Sequence, residues 1–425
     1  MLPEVQQEAI QATLDITQDQ RLGIRWAYYS GNHPRIYMTP KLRETFRNLA
    51  DSLAENYCGL AVNARLSRLE VTGWEGPQAE QAEAAWLLGG FPQRQDVMFR
   101  WGLVHGSAYL IVQDDIMTVN SARVAYAQPD PDDWMDVAWA GKAYISGSRW
   151  RAVLWDEEAI YRYDGPEADP TATVVPAGDE FTLADGGERH GYSRVPVFPM
   201  NPYGYMAPSL IDQISPVQDR INKLSANKFV AAEFGAFKQR VFFTRQEVDP
   251  FELRQQPDHA IVMDPGDSDG RASVQQMDAT ELRNYDDAKN AEIDSLFTIA
   301  SLPRHMRVNP GAMPSGEAIK ADEGPFVEAL RDHQREFGEA IQSAYAMLNM
   351  DAEPVWRDVE PHDDLINAQV VSTLVGAGIP WQALASRYLG MSQEEIEQAS
   401  QAVQVEQSAQ AQQTASILQN PSLWS

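Results

Sequence analysis

The strongest constraint on the fold lies mid-chain, where two long amphipathic stretches flank a short segment of a different period. From residue 209 onward, Leu210, Ile214, Val217, Ile221 and Leu224 alternate steps of four and three, which keeps one apolar seam on one side of a helix. Ser215 to Gln218 reads as a capping box with proline in the first turn, and a kink is expected at Pro216. Residues 238–277 break into strand-like pieces at 241–244 and 260–263, around Pro250, Pro257 and a turn at 264–270. Helical period returns at about 278–300 with Leu282, Tyr285, Ile293, Leu296 and Ala300 on one side. A loop at 301–314 leads into a third long helix from 315 to about 350, with Phe326, Leu330, Phe337, Ile341, Ala344 and Leu348 as its seam and a bend expected at Gly324–Pro325. Two such helices around a small β insertion cannot bury their seams alone, and packing against neighbouring copies in a ring would do so.

The flanking regions differ in period. The first 75 residues read as helical with one interruption. Thr39–Pro40 begins a helix whose face carries Leu42, Phe46, Leu49, Leu53, Tyr57 and Leu60, residues 28–34 (YYSGNHP) form a turn, and 69–74 form a short strand. From Tyr109 to about Phe198, short runs rich in Val, Ile, Tyr and Trp are punctuated by Gly, Pro and Asp. They predict strands at 109–112, 121–127, 143–146, 151–155 and 160–163, with exposed acidic loops at 128–136 and 164–170. Two short helices are expected between 363 and 399, broken at 376–380, and the Gln-rich end reads as disordered or a solvated helix.

Chemical motifs fail in turn. The only Gly-Lys pair, Gly141–Lys142, has Asp136 where a phosphate-binding loop needs glycine and Ala143 where it needs Ser or Thr. Gly376 and Gly378 lack a third glycine. The run from Asp264 to Gly270 has Pro265 and Gln276 where a calcium loop needs acids. Seven histidines are scattered without metal-binding spacing, and the single Cys58 supports neither a disulfide framework nor a thiolate zinc site, so no cofactor or metal is expected. His362–Asp363–Asp364 is the nearest thing to a nuclease cluster; it also reads as a helix N-terminus. Eleven tryptophans spread along the whole chain read as packing and interface residues. The apolar stretch at 229–237 is short and carries Glu233, and the first twenty residues are unlike a signal peptide, so a membrane span and export are not expected. A net charge of −27 disfavours tight DNA wrapping and leaves two readings: a plain acidic soluble protein, or one that meets DNA only in passing along a repulsive wall.

Several word-like stretches carry a resemblance: YYSGNHP, NYCGLAVNARLSRLEVTGW (56–74), RVPVFPMNP (194–202), SPVQDRINKLSANKF (215–229) and SLPRHMRVNPGAMPSGEAIKA (301–321). In their order and texture they resemble the phage portal proteins of the siphophage (SPP1-like) family. The resemblance implies a non-enzymatic α+β portal-protein fold with a β-rich wing at 1–208, stem helices at 209–237 and 278–300 around a clip at 238–277, and a tunnel loop at 301–314. It further implies a long wing helix at 315–362, a crown at 363–401 and a flexible tail at 402–425. The expected assembly is a homo-oligomeric ring of twelve at a capsid vertex, built in the host cytoplasm and passing double-stranded DNA. Expected partners are the terminase, the head–tail adaptor, and the major capsid and scaffolding proteins. Arg304, His305, Arg307 and Asn309 are the expected DNA-facing residues of the loop, although basic residues there also suit capping of the preceding helix; Lys223, Lys228, Lys238 and Arg240 are channel-lining candidates. The alternatives are another capsid or head–tail connector protein, or a metal-dependent hydrolase or nuclease.

Overall fold

The computed structural model describes residues 3–34, 36, 54–168, 175–203, 208–235, 240–243, 254–255, 258–259, 261–263, 273–276, 281–307, 316–360, 364–389, 396 and 398–402. Helices α1 (Pro3–Thr17) and α2 (Gln20–Ser30) open the chain. Asp19 caps α2 by accepting the Arg21 amide at 2.8 Å, and Gly31 ends it at φ 81°, a conformation that costs glycine nothing. The expected turn at 28–34 is therefore a last helical turn and its glycine stop.

The expected helix from 39 lies outside the described residues as far as 53. Beyond that point, α3 (Tyr57–Leu66) starts afresh after a non-helical stretch at 54–56, with Asn56 accepting the Gly59 amide at 2.8 Å. Its buried face is Cys58, Ala61, Val62, Arg65 and Leu66, so Tyr57 and Leu60 do not continue the predicted seam, and Leu60 is exposed. Strand β1 (Val71–Glu75) follows where a strand was expected.

Two helices that the pattern did not reveal come next, α4 (Ala79–Leu88) and α5 (Phe91–His105). The buried face of α5 interleaves Phe91, Met98, Phe99 and Leu103 with Gln95, Gly102 and His105, which hides the apolar period.

The β-rich region holds β2 (Ala108–Gln113), β3 (Ile116–Ser121), β4 (Ala125–Pro129), β5 (Val137–Ser146), β6 (Arg149–Trp155), β7 (Ala159–Glu167), β8 (Thr182–Arg189) and β9 (Val197–Met200). Strands β4 to β8 form a five-stranded antiparallel meander, and β3, β2 and β9 form a second sheet in that order. The single strand expected at 121–127 is two strands, because the chain turns at 122–124 with the Val124 amide bonded to Ser121 O at 3.0 Å. Residues 164–167, expected in a loop, extend β7; Gly165 lies there beneath Phe181 and Trp150, where a Cβ would stand 2.6 Å from the Phe181 ring. The loop at 130–136 is exposed except for the half-buried Asp130.

Helix α1 lies across the meander. Its Ala9, Ile10 and Leu14 pack on Ala143, Trp150, Ala152, Leu154, Tyr163 and Phe181, a core separate from the main one. In β6 the inward residues Trp150, Ala152 and Leu154 alternate with outward ones, as a half-buried strand requires. Gly141 admits the helix: a Cβ there would lie 2.0 Å from Thr13 Oγ1.

Helix α6 (Leu210–Gly235) starts five residues before the predicted cap. Ser209 and Asp212 form the reciprocal box, the Asp212 amide bonding to Ser209 Oγ at 3.3 Å and the Ser209 amide to Asp212 Oδ2 at 3.1 Å, and Pro216 sits inside the helix. Short strands β10 (Arg240–Phe243), β11 (Arg254–Gln255), β12 (Asp258–His259), β13 (Ile261–Met263) and β14 (Ser273–Gln276) follow, with β10 between a parallel β13 and an antiparallel β14. Helices α7 (Arg283–Ile299) and α8 (Gly316–Met347) come next, then β15 (Glu353–Trp356), which pairs with β1. Pro325 lies inside α8, and Phe326, Leu330, Phe337, Ile341 and Ala344 are fully buried as expected.

The seams of α6 and α7 are not left open where they were expected to be. Ile214, Val217 and Ile221 join Ile293, Leu296 and Phe297 in the main core together with Cys58, Ala61 and Val62 of α3. Only toward the β insertion are Leu224, Leu282 and Tyr285 half-buried.

Residues 360–425 form a second compact unit. Within it α9 (Asp364–Gly376) and α10 (Trp381–Leu389) are joined by a turn at Gly378, φ 96°, and Leu384 and Ala385 are buried. The predicted disordered end lies outside the described residues from 403.

Because α1 holds the meander through a few fully buried side chains, Leu14→Ala should lower the unfolding free energy by about 2–5 kcal/mol in urea titrations, whereas the surface change Glu8→Ala should leave it unchanged.

Candidate functional site

The basic loop after α7 is fixed at its root by the way that helix ends. The Leu302 amide reaches back to Phe297 O at 2.8 Å and the Ser301 amide to Thr298 O at 3.1 Å, with Ser301 left-handed at φ 51°. This is a Schellman stop with serine in the position glycine usually fills. Leu302 is buried, and after Pro303 a single 3₁₀ turn, Arg304–Met306, carries the basic residues.

Two arginines on the last turn of α3 and beyond it hold this junction. Arg65 is 3% exposed and donates to its own helix at Ala61 O, 2.9 Å, and to Ala300 O at the end of α7, 2.5 Å. Burial lowers its pKa, and the negative end of the α7 dipole offsets that cost. Arg68 makes a two-pronged pair with Glu323 of α8, at 2.9 and 2.8 Å, and also donates to Val359 O at 3.1 Å. Both guanidinium groups lie over the Phe326 ring, 5.4 and 5.3 Å from its centre.

The predicted loop residues meet different fates. His305 leans on α8: its amide bonds to Asp322 at 3.3 Å, Nδ1 lies 3.6 Å from the same carboxylate, and Nε2 is 3.3 Å from Glu323. Arg307 folds back along α7 to pair with Asp294 and to donate to Asn290 Oδ1 at 2.6 Å. Arg304 is exposed and has no side-chain partner among the described residues. Asn309 lies outside them. The capping alternative is corrected in one respect, since the side chain on the terminal carbonyl of α7 is Arg65.

Of the channel-lining candidates, Lys228 pairs with Asp286 across α6 and α7 at 2.6 Å, and Lys223 is half-buried and engaged. Lys238 lies outside the described residues, and Arg240 begins β10. The same helix pair is braced by Arg220–Glu292 at 2.9 Å, and Lys289 of α7 pairs with Glu55 just ahead of α3. Sequence reasoning missed Arg65, Arg68 and Glu323. The available signal was a pair of arginines three residues apart in an otherwise apolar stretch, beside a carboxylate just before Gly324–Pro325.

Side chains of α6 also complete α3. Buried Gln218 accepts the Tyr57 amide at 2.8 Å and donates to Glu55 O at 2.7 Å, and Asn222 accepts the Glu55 amide at 3.0 Å. Tyr28 donates to both Asp219 oxygens at 2.9 Å, which with burial drives its phenol far up. Among the described residues no group of three or more His, Cys, Asp or Glu could hold a metal ion, and His362 and Asp363 lie outside them. No described helix is long and apolar enough to cross a membrane.

Two predictions follow from these buried polar groups. Arg68→Ala leaves a carboxylate that is 3% exposed with the His305 ring as its remaining partner, and should cost about 3–5 kcal/mol in chemical denaturation, with the double change Arg68→Met, Glu323→Leu recovering most of it. His333, buried on α8, donates from Nδ1 to Pro202 O at 2.9 Å, and burial lowers its pKa from 6.5 to about 4. The unfolded chain then takes up this proton first, so stability falls as pH drops from about 6.5 to about 4. His333→Asn keeps a donor and removes the titration, and should shrink the fall in melting temperature measured between neutral and mildly acidic buffer.

A search among curated proteins returned no match. Among solved structures, a chain of the "Virion of native gene transfer agent (GTA) particle" is 12% identical with a TM-score of 0.46, covering 87% of this chain and 99% of that one. A chain of the "Neck of empty GTA particle computed with C6 symmetry" is 14% identical, TM-score 0.46, over 84% and 96%. A chain of the "Neck of native GTA particle computed with C12 symmetry" is 13% identical, TM-score 0.43, over 85% and 97%. The family model described as phage portal protein, SPP1 Gp6-like, matches residues 48–412, most of the chain, and the protein therefore belongs to that family of portal proteins.

Proposed function

We propose that this portal protein works as a ring of twelve copies that conducts double-stranded DNA during packaging and ejection, with α6 and α7 as the stem and the small β10–β13–β14 sheet as the clip. The ring would dock the terminase and later the head–tail adaptor at a capsid vertex, in contact with the major capsid and scaffolding proteins and after assembly in the host cytoplasm. The observation that carries this reading is the α6–α7 pair. Its seam is buried inside the chain at the loop end and half-exposed at Leu224, Leu282 and Tyr285 toward the insertion, where a neighbouring copy would complete it. The remaining parts would be the β-rich region as wing, residues 301–314 as tunnel loop, α8 as the long wing helix, and the unit from 360 as crown and tail.

The loop geometry supports a narrower reading of where DNA would be felt. With His305 and Arg307 engaged by α8 and α7, Arg304 is the described loop cation that projects outward. A single guanidinium per copy, repeated around a ring, touches phosphates weakly while the surrounding acidic chain repels them within a Debye length of about 8 Å. This suits passage better than binding.

Negative-stain images and sedimentation velocity test the assembly: rings with a central hole are expected, and a monomer under all assembly conditions would remove the reading. Arg304→Ala should impair DNA packaging or retention in particles while leaving protein stability and rings intact. Arg307→Ala should instead lower stability by releasing Asp294 and Asn290.

A further inference from the structure

The meander carries, on one hairpin, an exposed apolar pair at one end and an aromatic recess at the other. Strands β4 and β5 are joined by residues 130–136, whose backbone is held by its own aspartates. The Asp130 carboxylate accepts the Asp132 amide at 2.8 Å, Asp133 accepts the Met135 amide at 3.1 Å, and the Asp130 amide bonds to Asp136 O at 2.9 Å. This ordered tip displays Trp134 at 59% and Met135 at 61% exposure, ringed by four carboxylates. A large aromatic on a preformed loop is the kind of side chain that dominates binding when it enters a pocket, because little entropy is lost in placing it.

At the base of the same hairpin, a recess of about 480 Å³ opens between α2, α5 and the far end of β5. Trp26, Trp101, Tyr144, Ile145 and Trp150 line it. Ile145 at its mouth is 51% exposed. Arg123 lies on its wall; it is exposed and has no side-chain ion-pair partner among the described residues.

The two ends are about 23 Å apart, seven residues of strand at about 3.3 Å each, and none of residues 130–136 lines the recess of its own chain. Their chemistry is complementary: four aspartates around an exposed apolar pair, and an arginine on the wall of an aromatic recess. A patch and its complement at different places on one protomer generate a head-to-tail contact, which closes into a ring when the rotation allows. The geometry points to a second copy of this chain as the occupant: Trp134 and Met135 of one copy seat in the recess between Tyr144, Ile145 and Trp150 of the next. This rests on the ring reading above and adds to it a specific contact between the β-rich regions.

A cysteine pair tests the contact in the full-length protein, whose single native cysteine, Cys58, is buried. Met135→Cys with Ile145→Cys, treated with a short bismaleimide, should yield a ladder of covalent oligomers, and either single change should yield none above the level of the unmodified chain. In parallel, Trp134→Ala should reduce the fraction sedimenting as rings at least tenfold at micromolar concentration. Reversing charge with Arg123→Asp should do likewise, and adding Asp133→Arg to it should restore part of the loss. Rings from the unmodified chain together with no ladder and full assembly of Trp134→Ala would overturn this contact and leave the ring reading standing. A chain that forms no rings and no ladder would overturn both.

Discussion

Glu323 is a carboxylate placed where water does not reach, and the architecture around it exists on the condition that Arg68 meets it. An isolated carboxylate in that position would be held only by giving up its charge; a planar guanidinium with two parallel hydrogen bonds removes the need. The pair joins α3 to α8, and Arg65 beside it ties the end of α7 to the same point. Phe326, lying under both guanidinium groups, supplies the apolar floor. Three helices far apart in sequence therefore meet at a polar node inside the main core. Such a node gains little net stability over an apolar one of equal volume, while loss of either partner would be costly.

The helices whose seams are uninterrupted were legible. The faces of α6 and α8 show Leu210, Ile214, Val217, Phe326, Leu330 and Phe337 at regular steps, and these are the side chains that the core buries. Strands with β-branched and aromatic runs, such as those around Ile111 and Leu154, were legible for the same reason. What escaped was structure whose interior is not apolar. Helix α5 was hidden because Gln95, Gly102 and His105 occupy its buried face, and Gly102 is there to let Phe337 approach, a Cβ at that position falling 2.8 Å from its ring. Strand β8, exposed almost throughout, carries no alternation for burial to impose.

The loop residues teach the same lesson at the site. Composition marked Arg304, His305 and Arg307 as a unit because they are cations close together in an acidic chain. Their partners, Asp294 and Asn290 on one side and Asp322 and Glu323 on the other, come from helices before and after the loop, and nothing in local spacing separates an engaged cation from an exposed one. Family membership was legible from short words such as NARLSRLE, and those words turn out to contain the arginines that hold the junction.

The serine at 301 bears on stiffness in a way that contacts alone do not express. A left-handed serine costs the folded chain roughly 1 kcal/mol that glycine would not, while glycine would lose a comparable amount through the greater freedom of its unfolded chain. The two choices are thus close to even in overall stability and differ in how freely the backbone rotates at that one residue. With a side chain present, fewer backbone directions are open to the chain as it leaves α7 than a glycine would allow, so the stop that ends the helix also aims the residues that follow it.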